Sequence, residues 1–296
     1  MSITSKASKV CLGSIEVSKV FFGAIEVYSG AVDGILDLFT DPYVAYSCRD
    51  LGKARSAFTS IGDTGTQSSD TWVAQIRRSS DDDQKSFTAA QMAGGAMETW
   101  VGANDGFITR WYDQSTNANH LVQSAVLSQP KIVTNGVRNA DGLFFDGADS
   151  FMDLTSDLPF SDGTMHVVSK LDPTASRQTV FGGAGNVYIP VGQNGATRSD
   201  AYLKADVLTH HLNGQSYTIL DTRGGSFDAW TSTSEQLLTL TGVASNYPVQ
   251  EIGRGAGQTS SWDAKGFIQE VIFYSDDQSA NRVGIETNIN DHYSIY

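Results

Sequence analysis

Apolar residues in this chain come in short bursts divided by Gly, Ser, Asn and Asp, and the bursts that alternate do so with a period of two. Trp72-Val73-Ala74-Gln75-Ile76-Arg77 is one such run, the pattern of a strand with one buried face. Tyr43 to Arg49 and Phe107 to Tyr112 read the same way, as do segments near 131–134, 143–146, 164–170, 187–191, 217–221, 235–241 and 267–274. Short strands at this frequency, divided by turn residues, predict an all-β protein, a jelly-roll β-sandwich. Two stretches depart from the pattern. Phe87 to Trp100 places Met92, Ala96, Met97 and Trp100 at helical spacing, weakened by Gly94-Gly95. Ser275-Asp276 offers caps for a short C-terminal helix over Ala280 to Ile289, with Ile285 and Ile289 sharing a side. No βαβ alternation and no glycine-rich phosphate loop after a strand occurs.

The chain begins with a decapeptide written almost twice, Ser8-Lys9-Val10-Cys11-Leu12-Gly13-Ser14-Ile15-Glu16-Val17 and Ser18-Lys19-Val20-Phe21-Phe22-Gly23-Ala24-Ile25-Glu26-Val27. Glycine at the first central position of a two-residue loop suits a type II′ hairpin turn, where φ is positive. The repeat therefore predicts a small N-terminal β-meander with turns at Gly13-Ser14 and Gly23-Ala24. Strands this short have too little surface to be stable alone. They need the following domain, another chain, or both. One division of the chain makes residues 1–30 a docking element and 31–296 the sandwich; the other makes the repeat the first sheet of the main domain. As a docking element the repeat offers Val10, Leu12, Ile15, Val17, Val20, Phe22, Ile25 and Val27 as assembly residues, bonded to a neighbour or another copy by strand addition.

Composition narrows the function. The 296 residues are 40% hydrophobic with 29 glycines and 6 prolines, an ordered globular composition rich in turns. A formal charge of −13 argues against nucleic acid and anionic membranes as partners. The basic pair Arg77-Arg78 is answered by Asp81-Asp82-Asp83, which predicts local charge pairing. Cys11 and Cys48 sit among apolar neighbours and read as free thiols rather than a disulfide scaffold. The pair His210-His211 looks exposed and lacks an acidic partner at ligand spacing, so neither a metal nor a cofactor is expected. No apolar run at the start resembles a signal peptide, and none reaches the length that spans a bilayer. Synthesis in a cytoplasm without export by that route is the expectation.

The most specific motif is Trp111-Tyr112-Asp113-Gln114-Ser115-Thr116-Asn117-Ala118-Asn119-His120-Leu121, followed by Gln129-Pro130-Lys131-Ile132-Val133 and Leu143-Phe144-Phe145-Asp146-Gly147. Over roughly residues 42 to 292 this resembles the catalytic domain of the fungal arabinofuranosidase B family, which implies a concanavalin A-like sandwich. The pattern also resembles lectin-like domains of bacterial and phage proteins. A retaining glycosidase needs two carboxylates about 5–5.5 Å apart, and Asp113, Asp146, Glu251 and Glu270 are candidates beside or on strands. In the family, the nucleophilic Glu follows an adjacent Cys pair, whereas the similar region here is Thr179-Val180-Phe181-Gly182-Gly183-Ala184-Gly185-Asn186. The family's acid/base Asp lies in a Gly-Gly-Asp-Asn turn before the last long strand; here Gly253-Arg254-Gly255-Ala256-Gly257-Gln258 stands there, with Asp263 displaced by several residues.

The resemblance thus implies a sandwich retained without hydrolase activity, with no catalytic residues. The repeat resembles short modules of tailed-phage structural proteins, which points to a virion component, structural or adhesive, located in a capsid decoration, fibre or tail. A host-surface glycan is the candidate ligand, for which Trp111, Asp113, Gln114, Asn117, Trp230 and Trp262 are the binding candidates. Two readings of the 111–121 motif stay open: a polar loop bonded to its own backbone through Asx-type turns, or a direct ligand contact. His120 reads most simply as a satisfied, partly buried histidine. The alternative function is a glycoside hydrolase acting on arabinofuranosides or related polysaccharides.

Overall fold

The computed structural model describes residues 10–12, 15–17, 20–22, 25–28, 34–39, 41–52, 72–158, 161–183, 187–193, 205–206, 209–216, 223–245, 248–255 and 262–296, with backbone alone at 10–12, 15–17, 20–22, 25–28, 161, 187–193, 205–206, 223, 226, 229 and 244–245. The repeat forms β1 (Val10–Leu12), β2 (Ile15–Val17), β3 (Val20–Phe22) and β4 (Ile25–Tyr28). Leu12 pairs with Ile15 and Phe22 with Ile25, so each unit closes through two residues, as the glycine placement predicts. The outcome is two separate hairpins rather than one meander, since among the described residues no ladder joins β2 to β3. The side chains proposed as assembly residues lie outside the described residues.

The remaining strands form one continuous antiparallel network that folds over itself as an all-β sandwich. In chain order these are β5 (Val44–Ser47), β6 (Trp72–Arg78), β7 (Gln84–Thr88), β8 (Gly106–Trp111), β9 (Leu121–Val122) and β10 (Lys131–Thr134). Then come β11 (Val137–Arg138), β12 (Leu143–Asp146), β13 (Met152–Leu158), β14 (Ser161–Leu171), β15 (Arg177–Gly183) and β16 (Val187–Gln193). The last are β17 (Ala205–Asp206), β18 (Thr209–Leu212), β19 (Gln215–Ser216), β20 (Gln236–Ser245), β21 (Val249–Ile252) and β22 (Lys265–Tyr274). One face runs β18-β20-β14-β22, continued by β5 and β12; the other runs β7-β6-β8-β9-β13-β21-β15-β16, with β10 linking β12 to β8. The predicted segment at 217–221 lies outside the described residues.

Between the two faces lies the main core. Val167, Val271 and Phe273 of the first face meet Ile76, Ile108, Trp111, Phe181 and Ile252 of the second. The alternate residues of the first face point outward. Val168, Leu237, Ile272 and Tyr274 bury a second cluster against α1 (Ile35–Leu38) and α5 (Arg282–Tyr293), which contribute Ile35, Leu36, Ile285 and Ile289. A period-two strand buried on both sides in this way reads as continuously apolar, which explains Val271-Ile272-Phe273-Tyr274. The stretch predicted as one helix over 87–100 is different: Phe87 and Thr88 finish β7, and two short helices follow, α2 (Ala89–Ala93) and α3 (Ala96–Val101). Gly95 breaks them with a φ of 75°, and Thr88 with Gln91 closes a capping box on α2. α4 (Arg223–Trp230) is the remaining α-helix of the described residues. The C-terminal helix begins at Arg282, later than the caps at 275–276 suggest; Asp276 and Asp277 instead bond to Gln278 and Ser279.

The loop after β8 is the internal brace. Asp113, fully buried, accepts from the backbone of Ala45 (2.9 Å), Ser115 (2.8 Å) and Asn119 (3.0 Å) and from the Ser115 hydroxyl (2.7 Å). Gln114 accepts from the Leu51 backbone and donates to the carbonyls of Ser47 and Arg49. The motif therefore ties β8 to β5 by hydrogen bonds inside the protein. Asp113→Ala leaves three buried N–H groups without their acceptor and is expected to cost at least ~3 kcal/mol, with Asp113→Asn losing less, by urea denaturation.

Beneath α5 sits a second buried polar chain. His166 Nδ1 is 3.0 Å from the Thr239 hydroxyl, which donates to Glu286, itself paired with Arg282 of the same helix. Burial, with Arg282 and His211 adding, lowers His166 to about 3; burial and His211 lower His210 to about 4. Unfolding between those values and the ordinary 6.5 takes up protons, so this share of stability is complete above 6.5 and is lost as pH falls. Denaturation followed from pH 7 to 4.5 is expected to show that loss, and His166→Gln to flatten it by up to about 1.4 kcal/mol per pH unit.

Candidate functional site

Strand pairing assembles a row of acidic positions that are far apart in the chain. On β21, Glu251 is the ladder partner of Asp153 on β13 and of Gly182 on β15. Residues opposite each other in an antiparallel ladder share a face with Cβ atoms about 4.5–5.5 Å apart. Two carboxylates therefore stand side by side, and on the other flank Gly182 presents no side chain to Glu251. Immediately after β21, Gly253 adopts a φ of +89°, and a Cβ there would lie 2.4 Å from the Phe145 ring. Only glycine lets the chain turn here. Arg254 then folds back, its guanidinium 3.6 Å from the centre of the Phe151 ring and its Nη2 donating to the Asp149 carbonyl at 3.3 Å.

Asp263 enters the row from just before β22. Ala264 N donates to the Gly253 carbonyl at 2.8 Å, which brings the Asp263 carboxylate to 3.4 Å from Arg254 Nη2. Asp263 is buried, and its Oδ1, the Glu251 Oε2 and the Arg254 Nε are all buried without a hydrogen-bond partner. Burial pushes the Asp263 carboxyl up to about 6, against the pull of Arg254 and with help from Asp146 and Asp149. Burial also raises Glu251, reinforced by Asp153 and Asp263, and raises Asp153. Asp146 goes the other way: burial would raise it, but the backbone N–H groups of Ala148, Asp149 and Ser150 and the Ser150 hydroxyl hold it below the usual carboxylate range. The row thus combines a fixed anion, carboxyls that hold protons more tightly than usual, and a guanidinium. Such a set accepts from and donates to hydroxyl groups. Among the described residues, no group of three His, Cys, Asp or Glu side chains is arranged to hold a metal ion.

The residues singled out from sequence are placed differently from one another. Trp111 is fully buried and packs on Tyr46 at 5.7 Å; Asp113 and Gln114 are interior braces. Asn117 is exposed, with its amide donating to the Tyr43 carbonyl at 2.9 Å. Trp230 and Trp262, binding candidates that sit among polar sequence neighbours, are both buried, with Arg177 stacked 4.9 Å from the Trp262 ring. His120 accepts from Asp113 N at 3.1 Å and packs on Tyr112, and burial with Arg110 nearby lowers it to about 4. His210 is buried rather than exposed.

Of the four carboxylates considered for hydrolysis, Asp113 and Glu270 serve structure. Glu270 is fully buried and receives Arg49 Nε at 2.7 Å, Arg49 Nη2 at 2.8 Å and the Tyr293 hydroxyl at 3.0 Å; burial would raise it, but Arg49 prevails and holds it low. Glu251 and Asp146 belong to or border the row. Asp153 carries no local signal, since only the pairing of β13 with β21 brings it there; Arg254 is placed by the turn at Gly253. Arg77 and Arg78 pair with Asp82 and Asp81 as the sequence implied. Cys48 is a free thiol, pushed up to about 11 by burial. No helix among the described residues is long and apolar enough to cross a membrane.

No protein-family profile and no curated protein matches the chain. Solved structures do. A GH54 α-L-arabinofuranosidase soaked with a cyclic sulfate inhibitor is similar at 16% identity with a TM-score of 0.51. A variant of a GH54 α-L-arabinofuranosidase soaked with 4-nitrophenyl α-L-arabinofuranoside is similar at 15% identity with a TM-score of 0.52. Each likeness covers 86% of this chain but 64% of the other, so the chain spans less than two thirds of those proteins. The likeness is one of fold: a β-sandwich shared with glycosidases.

The raised Asp263 carboxyl has a stability consequence. Between 3.8 and about 6 the folded protein keeps a proton that the unfolded chain has released, so this contribution is present at low pH and is lost as pH rises through that window. Asp263→Asn removes the cost of the buried charge. It is expected to stabilise the protein by about 1–2 kcal/mol at pH 7 and by little at pH 4, measured by denaturation at both.

Proposed function

We propose that the protein is a non-enzymatic carbohydrate-binding sandwich that holds a neutral glycan on Asp153, Glu251, Arg254 and Asp263. The observation that carries this is the set of three buried, unpartnered polar atoms, Glu251 Oε2, Asp263 Oδ1 and Arg254 Nε, grouped in one place. Leaving such groups unbonded costs about 1–3 kcal/mol each, and sugar hydroxyls supply both the donors and the acceptor they lack. The fold shared with arabinofuranosidases supports a saccharide as the ligand class. Absence of turnover is supported by the sequence at 179–186, which offers no carboxylate where the resembling family has its nucleophile. The N-terminal repeat supports a structural or adhesive role in a virion, through strand addition to a neighbour.

A second reading has one specific observation in its favour. A carboxyl titrating at about 6 next to another carboxylate is the usual state of a glycosidase proton donor, and Asp263 meets that description.

On a glycan array, Glu251→Gln is expected to lose at least tenfold of the binding shown by the native chain, while 4-nitrophenyl arabinofuranoside stays unhydrolysed by both. Turnover by the native chain that Asp263→Asn abolishes would replace the binding role with the hydrolytic one. Deleting residues 1–30 is expected to abolish assembly while leaving the denaturation midpoint of the sandwich unchanged.

A further inference from the structure

On the outer surface of the first face, between α2 and the end of α5, lies a cavity of about 700 Å³. That is within the range of small-ligand sites, about 300–1,000 Å³. It is separate from the acidic row and rests on different residues. Its wall is made by an irregularity in the ladder between β14 and β22. Val168 pairs with Glu270 and Ser169 with Ile268, so Gln269 is an extra, unpaired residue, a β-bulge that re-aims its side chain.

Gln269 lines the cavity and is 6% exposed. Its Nε2 donates to the Ala140 carbonyl at 3.3 Å and to the Glu235 carboxylate. Both are acceptors, so the amide nitrogen must face them, and Oε1 is left buried with no partner. Gly142 makes the approach possible: its φ is +98°, and a Cβ there would lie 2.6 Å from Gln269 Cγ. The bulge thus sets into the wall, beside a carboxylate, an acceptor that lacks a donor.

Charge at this wall points the same way. Asp141 receives Lys170 at 2.8 Å, and Glu235, which makes no ion pair among the described residues, feels the same lysine. One lysine answers two carboxylates, and burial together with Asp141 raises the Glu235 carboxyl. Elsewhere in the lining, Arg49 is held by Glu270, and His292 is kept neutral by burial and by Arg49 and Arg138. Asp50 accepts from the Gly52 backbone at 2.9 Å and Arg138 donates to the Met92 carbonyl at 3.3 Å, neither with an ion pair among the described residues. These two are opposite in sign. The lining and its ion-pair partners therefore carry one negative charge in excess. The charges that act on Glu235 are Asp141 and Lys170, whereas Arg138 acts on Cys48 and His292, so the excess belongs to the wall of Glu235 and Gln269.

We propose that this cavity binds an amino sugar, whose ammonium donates to Gln269 Oε1 and Glu235 while its hydroxyl groups meet Asp50 and Arg138. An ammonium brings three donors, no acceptor and the missing positive charge. Hydroxyl groups both donate and accept, which suits a carboxylate and a guanidinium together. The alanines of α2, Ala89, Ala90 and Ala93, offer the C–H face of a sugar ring an apolar floor. A neutral sugar leaves Glu235 without a counter-ion, and an alkyl diamine brings a second charge and no acceptor for Arg138.

Calorimetric titration tests the assignment, using the full chain and its Glu251→Gln variant, which disables the acidic row. The ligands are D-glucosamine, D-galactosamine, D-glucose, N-acetyl-D-glucosamine and 1,4-diaminobutane, at about pH 6.5, where amines are protonated. In the Glu251→Gln chain at least one amino sugar is expected to bind at least tenfold more tightly than the other three ligands. Its affinity is expected to be the same in the native chain, so failure of the neutral-glycan site and failure of this one are distinguishable. Glu235→Gln keeps an acceptor for Gln269 Nε2 but removes the charge, and is expected to weaken the amino sugar at least tenfold. Ala93→Phe, on an exposed position of α2, fills the floor and is expected to abolish binding without moving the denaturation midpoint. Equal binding of glucose, N-acetylglucosamine or diaminobutane in the Glu251→Gln chain would overturn the proposal. So would an unaffected Glu235→Gln or Ala93→Phe protein, dependence on Glu251, or no binding of either amino sugar at millimolar concentration.

Discussion

A single buried carboxylate, that of Asp113, is the constraint around which the two faces are joined. Burial raises its pKa, and the bonds from Ser115, Ala45 and Asn119 oppose that rise. The carboxylate is retained because it gathers the backbone of a central strand and of its own loop at one point. Asn119 extends the same knot, bonding the backbone of Ser156 through both ends of its amide while its carbonyl receives the Tyr46 hydroxyl. Strand β5, loop 113–119 and strand β13 are thereby fixed together. The acidic row begins on that last strand, at Asp153, so the brace and the candidate site share a support.

The outward surface of the first face is used twice. Part of it is dry, covered by α1 and α5 through Ile35, Leu36, Ile285 and Ile289. The rest is polar, where Arg49 and Tyr293, both bonded to Glu270, line a cavity of about 700 Å³.

Much of the fold was legible because its signals are local. Lys131–Thr134, Leu143–Asp146 and the long final strand fall where alternation puts them, and Leu12 pairs with Ile15 and Phe22 with Ile25 as the repeat predicts. The capping signal Thr88-x-x-Gln91 was present in the sequence but masked by the apolar spacing that follows it. The candidate site was legible in part: Glu251 and Asp263 stood out, whereas Asp153 acquires its meaning only through a partner 98 positions away. The tryptophans misled for a physical reason. Trp230 and Trp262 have polar sequence neighbours, but an indole has so much apolar surface that the fold buries it regardless of what flanks it in the chain.

The bulge at Gln269 has a genetic side. On one side of it Ile268 faces the core; on the other Glu270 faces out, Val271 in, Ile272 out and Phe273 in. Read without Gln269, that sequence alternates perfectly, and its partners Ser169 and Val168 are already consecutive. One inserted codon is therefore the smallest step between a plain sheet and a sheet with an amide aimed at a cavity. A loss of the same codon, ruinous in most strands, would here return the ladder to regularity.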